Sequence, residues 1–456
     1  MAPKKTITAA SLVHEGHPIA TQTVHTDFSW RRDSTGSETQ TIYFQLDNGC
    51  LGFVQIAWAY LALTTTIETN AMFYIPGQPC VFESHNGHSL KVHKKSQEFE
   101  CKGIAMAWND DHTQLTVKYT AGKERNPKGA SASFVFDRKS DGYKIGDGKN
   151  YIGDGTASHF FYPAGEITAK GEINGVKFES KGAGLFIHAH SANIMPYNVG
   201  AEWNMVYFIG YRDDTPEDQK KAANSFTYNM LQYVTPVNAG SVNCSNASLT
   251  ESNQLKAVFW DTTVDHIDEE LDPNGSGYSI PKRLVFKSSG KTTDGKKITV
   301  TFEANPTIRL HDIDVLHEMP YVIRRLVQAL ITKPFVFERY DGNAKVVVEI
   351  EGQEPFNCVF YAWGGDIVWT ARASTLDALE DSWIRSQSKG LAAAVATLFP
   401  NLAIADVRRN GDDAWLTVLS AASRFLDVTT IAYAQLHLVS VFGVLSSKLQ
   451  LCKDST

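Results

Sequence analysis

Apolar and polar positions alternate with a period of two along much of the chain. Residues 21–117 read as strands. Thr41-Ile-Tyr-Phe-Gln-Leu and Leu51-Gly-Phe-Val-Gln-Ile-Ala-Trp-Ala-Tyr are rich in strand formers, and Asp47-Asn48-Gly49 separates them. Asn and Gly tolerate positive φ, so that step predicts a hairpin. Further strands are expected at 81–83, 89–94, 99–108 and 115–119. Such spacing suits an up-and-down barrel or a sandwich rather than βαβ units.

Residues 121–157 read as a turn-rich excursion. Gly146-Asp-Gly-Lys-Asn-Tyr-Ile-Gly-Asp-Gly155 looks like a calcium or phosphate loop, but its spacing fits neither the EF-hand nor the Walker pattern. A strand, a Gly-bearing turn and another strand then follow, and that arrangement recurs downstream. Tyr162-Pro163, Ile167, Gly171, Asn174-Gly175 and Phe178 form the first set. Tyr278, Pro281, Leu284, Gly290, Asp294-Gly295 and Ile298 form the second. Asp27-Phe-Ser-Trp30 opens the first unit and Glu202-Trp203-Asn-Met-Val-Tyr-Phe the second.

Residues 312–331 break the β pattern. Pro320 suits a first helical turn, and Ile323, Leu326, Val327 and Leu330 share one face, so a helix packed on a barrel wall is expected. Arg324 and Arg325 leave a membrane-touching helix as the alternative. Residues 356–456 form an atypical extension, rich in Ala, Leu and Val. Within it, 428–447 carry no Asp, Glu, Lys or Arg over about 20 residues, a length that spans a bilayer. Thr, Gln, His and Ser dilute that stretch, which favours an irregular or helical tail over an anchor.

The expected fold class is therefore all-β. Two consecutive antiparallel barrels occupy 21–200 and 201–355. A flexible end precedes them at 1–20, and one or two helices pack on them. Composition agrees with a folded protein with wide β interiors. The 456 residues are 43% hydrophobic and 11% aromatic, with 24 Phe, 17 Tyr and 9 Trp. Net charge is −7 and no basic face stands out, which excludes nucleic acid as the main partner. The six cysteines form no CxxC and match no zinc spacing, so they read as free thiols in a reducing cytosol. The N-terminus shows no apolar signal core, so secretion is not expected and Asn243-Cys-Ser and Asn246-Ala-Ser carry little weight.

No catalytic arrangement emerges. There is no GxSxG, no Cys–His pair in context and no HExxH at His317-Glu318. His188 and His190 share a strand face, but no third metal ligand is evident, so they read as polar wall or rim residues. No metal or cofactor is expected. Asp27, Glu202 and Asp261 lie near strands, where an acid could protonate an alkene. The candidate residues are those lining a cavity for a hydrophobic small molecule: Trp30, Phe53, Trp58, Tyr60, Trp108, Phe186, His188 and Trp203. Trp58 and Tyr60 follow from the alternation of 54, 56, 58 and 60.

Several segments resemble the fungal survival-factor family of double-lipocalin proteins. They are Asp27-Phe-Ser-Trp30, Ile42-Tyr-Phe, Gly52-Phe-Val-Gln-Ile, His188-Ala, Ala201-Glu-Trp-Asn204, Ile313-Asp-Val-Leu-His-Glu-Met-Pro320 and Thr332-Lys-Pro-Phe335. The resemblance implies two lipocalin-like domains and a cytoplasmic, non-enzymatic carrier of a ceramide-like lipid. It further implies ceramide transfer between endoplasmic reticulum and Golgi, transient contact with those membranes, and survival under oxidative stress. Each buried methylene is worth about 0.8 kcal/mol, so a dozen supply around 10 kcal/mol before losses. Related double lipocalins include hydratases and cyclases, so an enzyme acting on a terpenoid or polyketide is the alternative. The family's N-terminal amphipathic helix has no counterpart stripe in 1–26. After Val346-Val-Val-Glu-Ile-Glu-Gly352 the family closes its second barrel with a short final strand and stops, whereas this chain runs about a hundred residues further.

Overall fold

A computed structural model describes residues 5–33, 35–61, 64–94, 97–125, 129–220, 224–314 and 335–368. Among them the chain is built almost wholly of antiparallel strands in two sheets. The two sheets belong to one compact unit.

The first sheet is antiparallel throughout, with non-consecutive neighbours where Gly36–Leu46 pairs with Val176–Ala192 and where Gly155–Ile173 pairs with Ser131–Arg138. In hydrogen-bonded order its main strands are Val81–Asn86, Thr64–Tyr74, Leu51–Leu61, Gly36–Leu46, Val176–Ala192, Gly155–Ile173, Ser131–Arg138, Gln114–Tyr119, Ile104–Trp108, Glu98–Cys101 and Lys91–His93. The expected hairpin is present: Gly36–Leu46 pairs with Leu51–Leu61, and Gly49 turns the chain at φ 83°. Asn174 and Gly175, at φ 51° and 80°, make the tight turn between the two longest strands of this sheet. The sheet curls around an aromatic core containing Phe44, Phe73, Phe134, Phe136, Phe160 and Phe186. Its two edge strands, Val81–Asn86 and Lys91–His93, do not pair with each other.

The second sheet closes. Glu202–Arg212, Phe226–Val234, Asn243–Glu251, Gln254–Leu271, Ser279–Thr292, Lys297–Ala304, Phe335–Ile350 and Phe356–Val368 follow one another, and the last pairs back onto the first. Phe335–Ile350 makes the ring possible by serving two neighbours. Its first half pairs with Ile308–Asp314 and its second half with Lys297–Ala304. The core holds Phe208, Phe259, Phe286, Phe302, Val346 and Val348.

Five expectations change. The boundary at 355 falls inside the second barrel, because Phe356–Val368 is its closing strand. The excursion at 121–157 contains a central strand, Ser131–Arg138, with Ala132, Phe134 and Phe136 buried in alternation. Residues 5–20 are tied down. Thr6–Ile7 pairs with Tyr151 and Ile152, and the Thr6 hydroxyl donates to the Ala239 carbonyl at 2.6 Å. The repeat is one of hairpins and not of position, since Val176–Ala192 pairs with its barrel's first main strand while Lys297–Ala304 does not. Asp312–Asp314, the start of the expected helix, is strand; the rest of that helix and the tail past 368 lie outside the described residues.

The barrels share a buried contact. Phe53, Tyr143, Phe161, Leu185 and Ile187 meet Tyr207, Ile209 and Val258. The Asn150 amide donates to the Tyr233 hydroxyl at 2.8 Å across it.

Candidate functional site

The interior of the first barrel gathers most of the candidate residues. Its inward faces are fixed by the register. Phe186 stands opposite Ile42 and Tyr162, His188 opposite Gln40 and Phe160, and His190 opposite Glu38 and Ser158. These residues alternate with Ile187 and Ala189, which face the other way.

A short plug seals one end. The 3₁₀ turn His25–Phe28 stacks Phe28 on Tyr162, with ring centroids 4.0 Å apart. Asp27 accepts the Val24 amide at 2.9 Å, which caps the turn, and Lys144 reaches the same carboxylate at 2.8 and 3.1 Å. Trp30 then meets Phe99 edge-on at 5.7 Å.

Beneath the plug lies a buried ion pair. His188 and Glu38 are both fully buried, with His188 Nε2 2.7 Å from Glu38 Oε1. His188 Nδ1 lies 2.6 Å from the Asp27 carbonyl oxygen. A carbonyl only accepts, so Nδ1 carries a proton. A second proton must then lie between Nε2 and Glu38. The carboxylate also accepts the Arg31 amide on both oxygens at 3.0 Å and the Arg32 amide at 2.8 Å. Burial alone would push the Glu38 carboxyl up, but the His188 hydrogen bond and charge and the Arg32 amide hold it below its usual range. The pair is therefore carboxylate and imidazolium, and it ties the plug backbone to two strands. Asp33 Oδ2 lies 2.7 Å from His190 Nε2, off the line of a hydrogen bond. Burial lowers the His190 pKa.

Other interior polar atoms have no protein partner. The indole N–H groups of Trp30 and Trp108, the Gln40 Oε1 and the Ser158 hydroxyl are buried and unpaired. An unmade buried hydrogen bond costs about 1–3 kcal/mol. Trp108 packs edge-on against Phe186 and Tyr162, both at 5.3 Å, and Phe28 links Tyr162 to His188 through ring contacts. The unpaired groups therefore sit around one aromatic cluster, two of them donors and two able to accept.

Trp30, Trp58, Tyr60, Trp108, Phe186 and His188 thus face the first interior or pack against its core. Phe53 and Trp203 do not. Phe53 is on the opposite face of its strand, against the second barrel. Trp203 stacks on Tyr233 at 4.4 Å and donates to the Gly200 carbonyl at 3.3 Å. Sequence reasoning missed Glu38, Phe28 and Lys144, whose partners lie far along the chain. Among the described residues there is no cluster of three or more metal-ligating side chains, and no helix is long and apolar enough to cross a membrane.

Comparison with known proteins places this architecture. The solved structure of CghA superposes with a TM-score of 0.50 at 10% identity, covering 80% of this chain and 98% of that one, which supports the shared lipocalin-like fold. "Ceramide-binding protein svf1" of Emericella nidulans is 26% identical over 360 residues, 75% of this chain and 88% of that protein. "Survival factor 2" of Schizosaccharomyces pombe is 22% identical over 68% of this chain and 84% of that protein. The model of the Svf1 family matches residues 2–360. The chain belongs to the Svf1 family.

Proposed function

We propose that this protein binds a ceramide-like lipid in the first barrel. Four unpaired polar groups in an aromatic interior carry the reading. A ceramide head offers an amide carbonyl, an amide N–H and hydroxyls. The carbonyl suits an indole N–H, and the hydroxyls suit Gln40 Oε1 and Ser158. The hydrocarbon chains belong against the aromatic core, where each methylene adds about 0.8 kcal/mol. Curated relatives from several fungi are named ceramide-binding proteins, which supports the same ligand class. In the cell the protein would carry ceramide between endoplasmic reticulum and Golgi, with brief membrane contact, and support survival under oxidative stress.

The reading is non-enzymatic. Glu38 is a fully buried acid of the first barrel, the kind of group a hydratase or cyclase would need. Its oxygens are taken up by two backbone amides and His188, so none is aimed at a ligand.

The test is equilibrium binding of a fluorescent ceramide, together with mass spectrometry of lipids extracted with the protein from cells. Trp30→Phe and Trp108→Phe are each expected to weaken binding about tenfold, the value of one hydrogen bond to a buried donor. Trp203→Phe should leave affinity unchanged. Absence of sphingolipid from the extract, together with undetectable ceramide binding, would refute the proposal.

A further inference from the structure

The far end of the first barrel from the plug is held differently. No backbone ladder joins the edge strand Val81–Asn86 to the opposite wall. Two contacts make the join instead: the Lys102 amide donates to the Gly87 carbonyl at 3.1 Å just past the strand, and a side chain bridges within it. Glu83 accepts the Tyr119 hydroxyl at 2.7 Å on one oxygen and the Ala130 amide at 3.1 Å on the other. Tyr119 is fully buried and belongs to the aromatic core, so its ring stands inside the barrel with only its hydroxyl at the seam.

The wall is shaped around that carboxylate. A Cβ on Gly122 would overlap both Glu83 oxygens and the Ala130 amide nitrogen. Glycine there leaves room for Glu83 and for nothing larger. Just outside lies an open concavity of about 570 Å³. Tyr119, Ala132 and Phe178 line it, and all three are core residues of the barrel. Its volume falls within the range of small-molecule sites. The rest of its lining is mostly polar, Lys118, Lys170, Glu172 and Lys177 among it, so a route from solvent passes a charged mouth before it meets these core residues and the Glu83–Tyr119 contact.

We propose that this seam is the entrance to the first barrel, with Glu83 and Tyr119 as its gate and an amphiphilic lipid as its cargo. The inference rests on the lipid-binding reading. The lipid enters head first. Trp108 is four residues along its strand from Ile104, which stands opposite Tyr119, so the indole cluster begins about 13 Å beyond the gate. The head reaches the unpaired indoles, and the chains trail toward Tyr119, Ala132 and Phe178. The other end offers no such route, because the His188–Glu38 pair and the Arg31 and Arg32 amides lock the plug.

The geometry supplies its own probe. A Cβ built at Gly87, directly after the edge strand, must displace the Ile67 Cγ2 from 2.8 Å and then lies 3.3 Å from the Cys101 Cβ. That is just under the disulfide range, which begins at about 3.5 Å, so the bridge needs the walls to part slightly. Cys101 leads into the turn whose Gly103 carbonyl accepts the Thr120 and Ala121 amides, next to Gly122. A Gly87→Cys bridge would pin the two walls together, whereas Gly122→Ala would crowd Glu83 out of its seat.

The experiment uses the full chain and a nitrobenzoxadiazole-labelled ceramide delivered from phosphatidylcholine vesicles, with uptake and release followed by stopped flow. Oxidised Gly87→Cys should slow both rates at least tenfold and recover on reduction. Gly122→Ala should speed both rates about tenfold, as expected for losing one hydrogen bond to a charged group. Equilibrium affinity should stay the same in each, because a gate changes entry and exit alike. Rates unchanged by the bridge, or a change in affinity with rates of exchange intact, would overturn the gate. A wild-type protein that binds no ceramide would instead overturn the lipid reading.

Discussion

Removing either partner of the His188–Glu38 pair should have unequal effects, and the structure says which is worse. His188→Phe leaves a carboxylate at full burial with only two backbone amides beside it. An uncompensated buried charge costs about 3–5 kcal/mol. Glu38→Gln is milder. Its oxygen still accepts the Arg31 and Arg32 amides, and its NH₂ can donate to His188 Nε2 once the imidazole is neutral. His188 keeps its Nδ1 proton on the Asp27 carbonyl. The loss is then that of charge assistance, about 1–2 kcal/mol. The double variant carries no buried charge here, so it should be more stable than His188→Phe alone. Urea unfolding followed by tryptophan fluorescence gives the global values. Hydrogen exchange at the Arg31 and Arg32 amides reports the plug directly, since both donate to Glu38. Additive single effects, within about 0.5 kcal/mol, would refute an ion pair. The sign of the pH effect is also fixed. A carboxyl held below its ordinary 4.5 stabilises the fold above that pH, and the gain is lost as pH falls through the folded value. Glu38→Gln should abolish this part of the acid sensitivity.

Two further outcomes follow from the barrel contact and the closing strand. Burial, with a smaller push from the His188 charge, lowers His159 to about 3, against 6.5 for a free imidazole. The unfolded chain binds the extra proton between those values, so His159 should cost about 2 kcal/mol of stability on going from pH 8 to pH 5. His159→Phe should remove that difference in urea titrations at the two pH values, and an unchanged difference would sink the assignment. A chain ended after 355 lacks the strand that pairs Glu202–Arg212 with Phe335–Ile350. It should melt at lower temperature and aggregate relative to one ended after 368, because two barrel edges are then exposed; equal melting curves would contradict the closed ring.

The period-two signal revealed the strands but not which of two buried faces holds the interior. Phe53 and Trp58 lie on one strand, five residues apart, and both are buried. Where barrel packs on barrel, neither face is marked by charge, so alternation cannot separate the cavity side from the contact side. Trp203 misled for the same reason. Ser131–Arg138 was hidden by the Gly, Pro and Lys residues just before it, although its own alternation is regular. The closing strand Phe356–Val368 was obscured because the chain runs on for about a hundred residues past the point where the family's short final strand stops. Glu38 carries no local signature at all. Its partner is 150 residues away, and only the register of two paired strands brings the two together.

That register also distinguishes the barrels as ligand sites. In the second barrel the ring is complete, and the interior hydroxyls satisfy one another. Tyr228 and Thr262 both bond Ser288, at 2.5 and 2.7 Å. Asn204 bonds Gln232 at 2.7 Å, and Gln232 bonds Asn243 at 2.9 Å. In the first barrel the ladder is interrupted at the edge strands, and indole donors stay unpaired within the core. A closed, satisfied interior gains little from a polar amphiphile, which would have to displace bonds already made. An open one with unmet donors gains from each bond it forms. That asymmetry is the reason the proposed lipid site is placed in the first barrel and not in the second, which packs against its outer face through Phe53, Phe161 and Leu185.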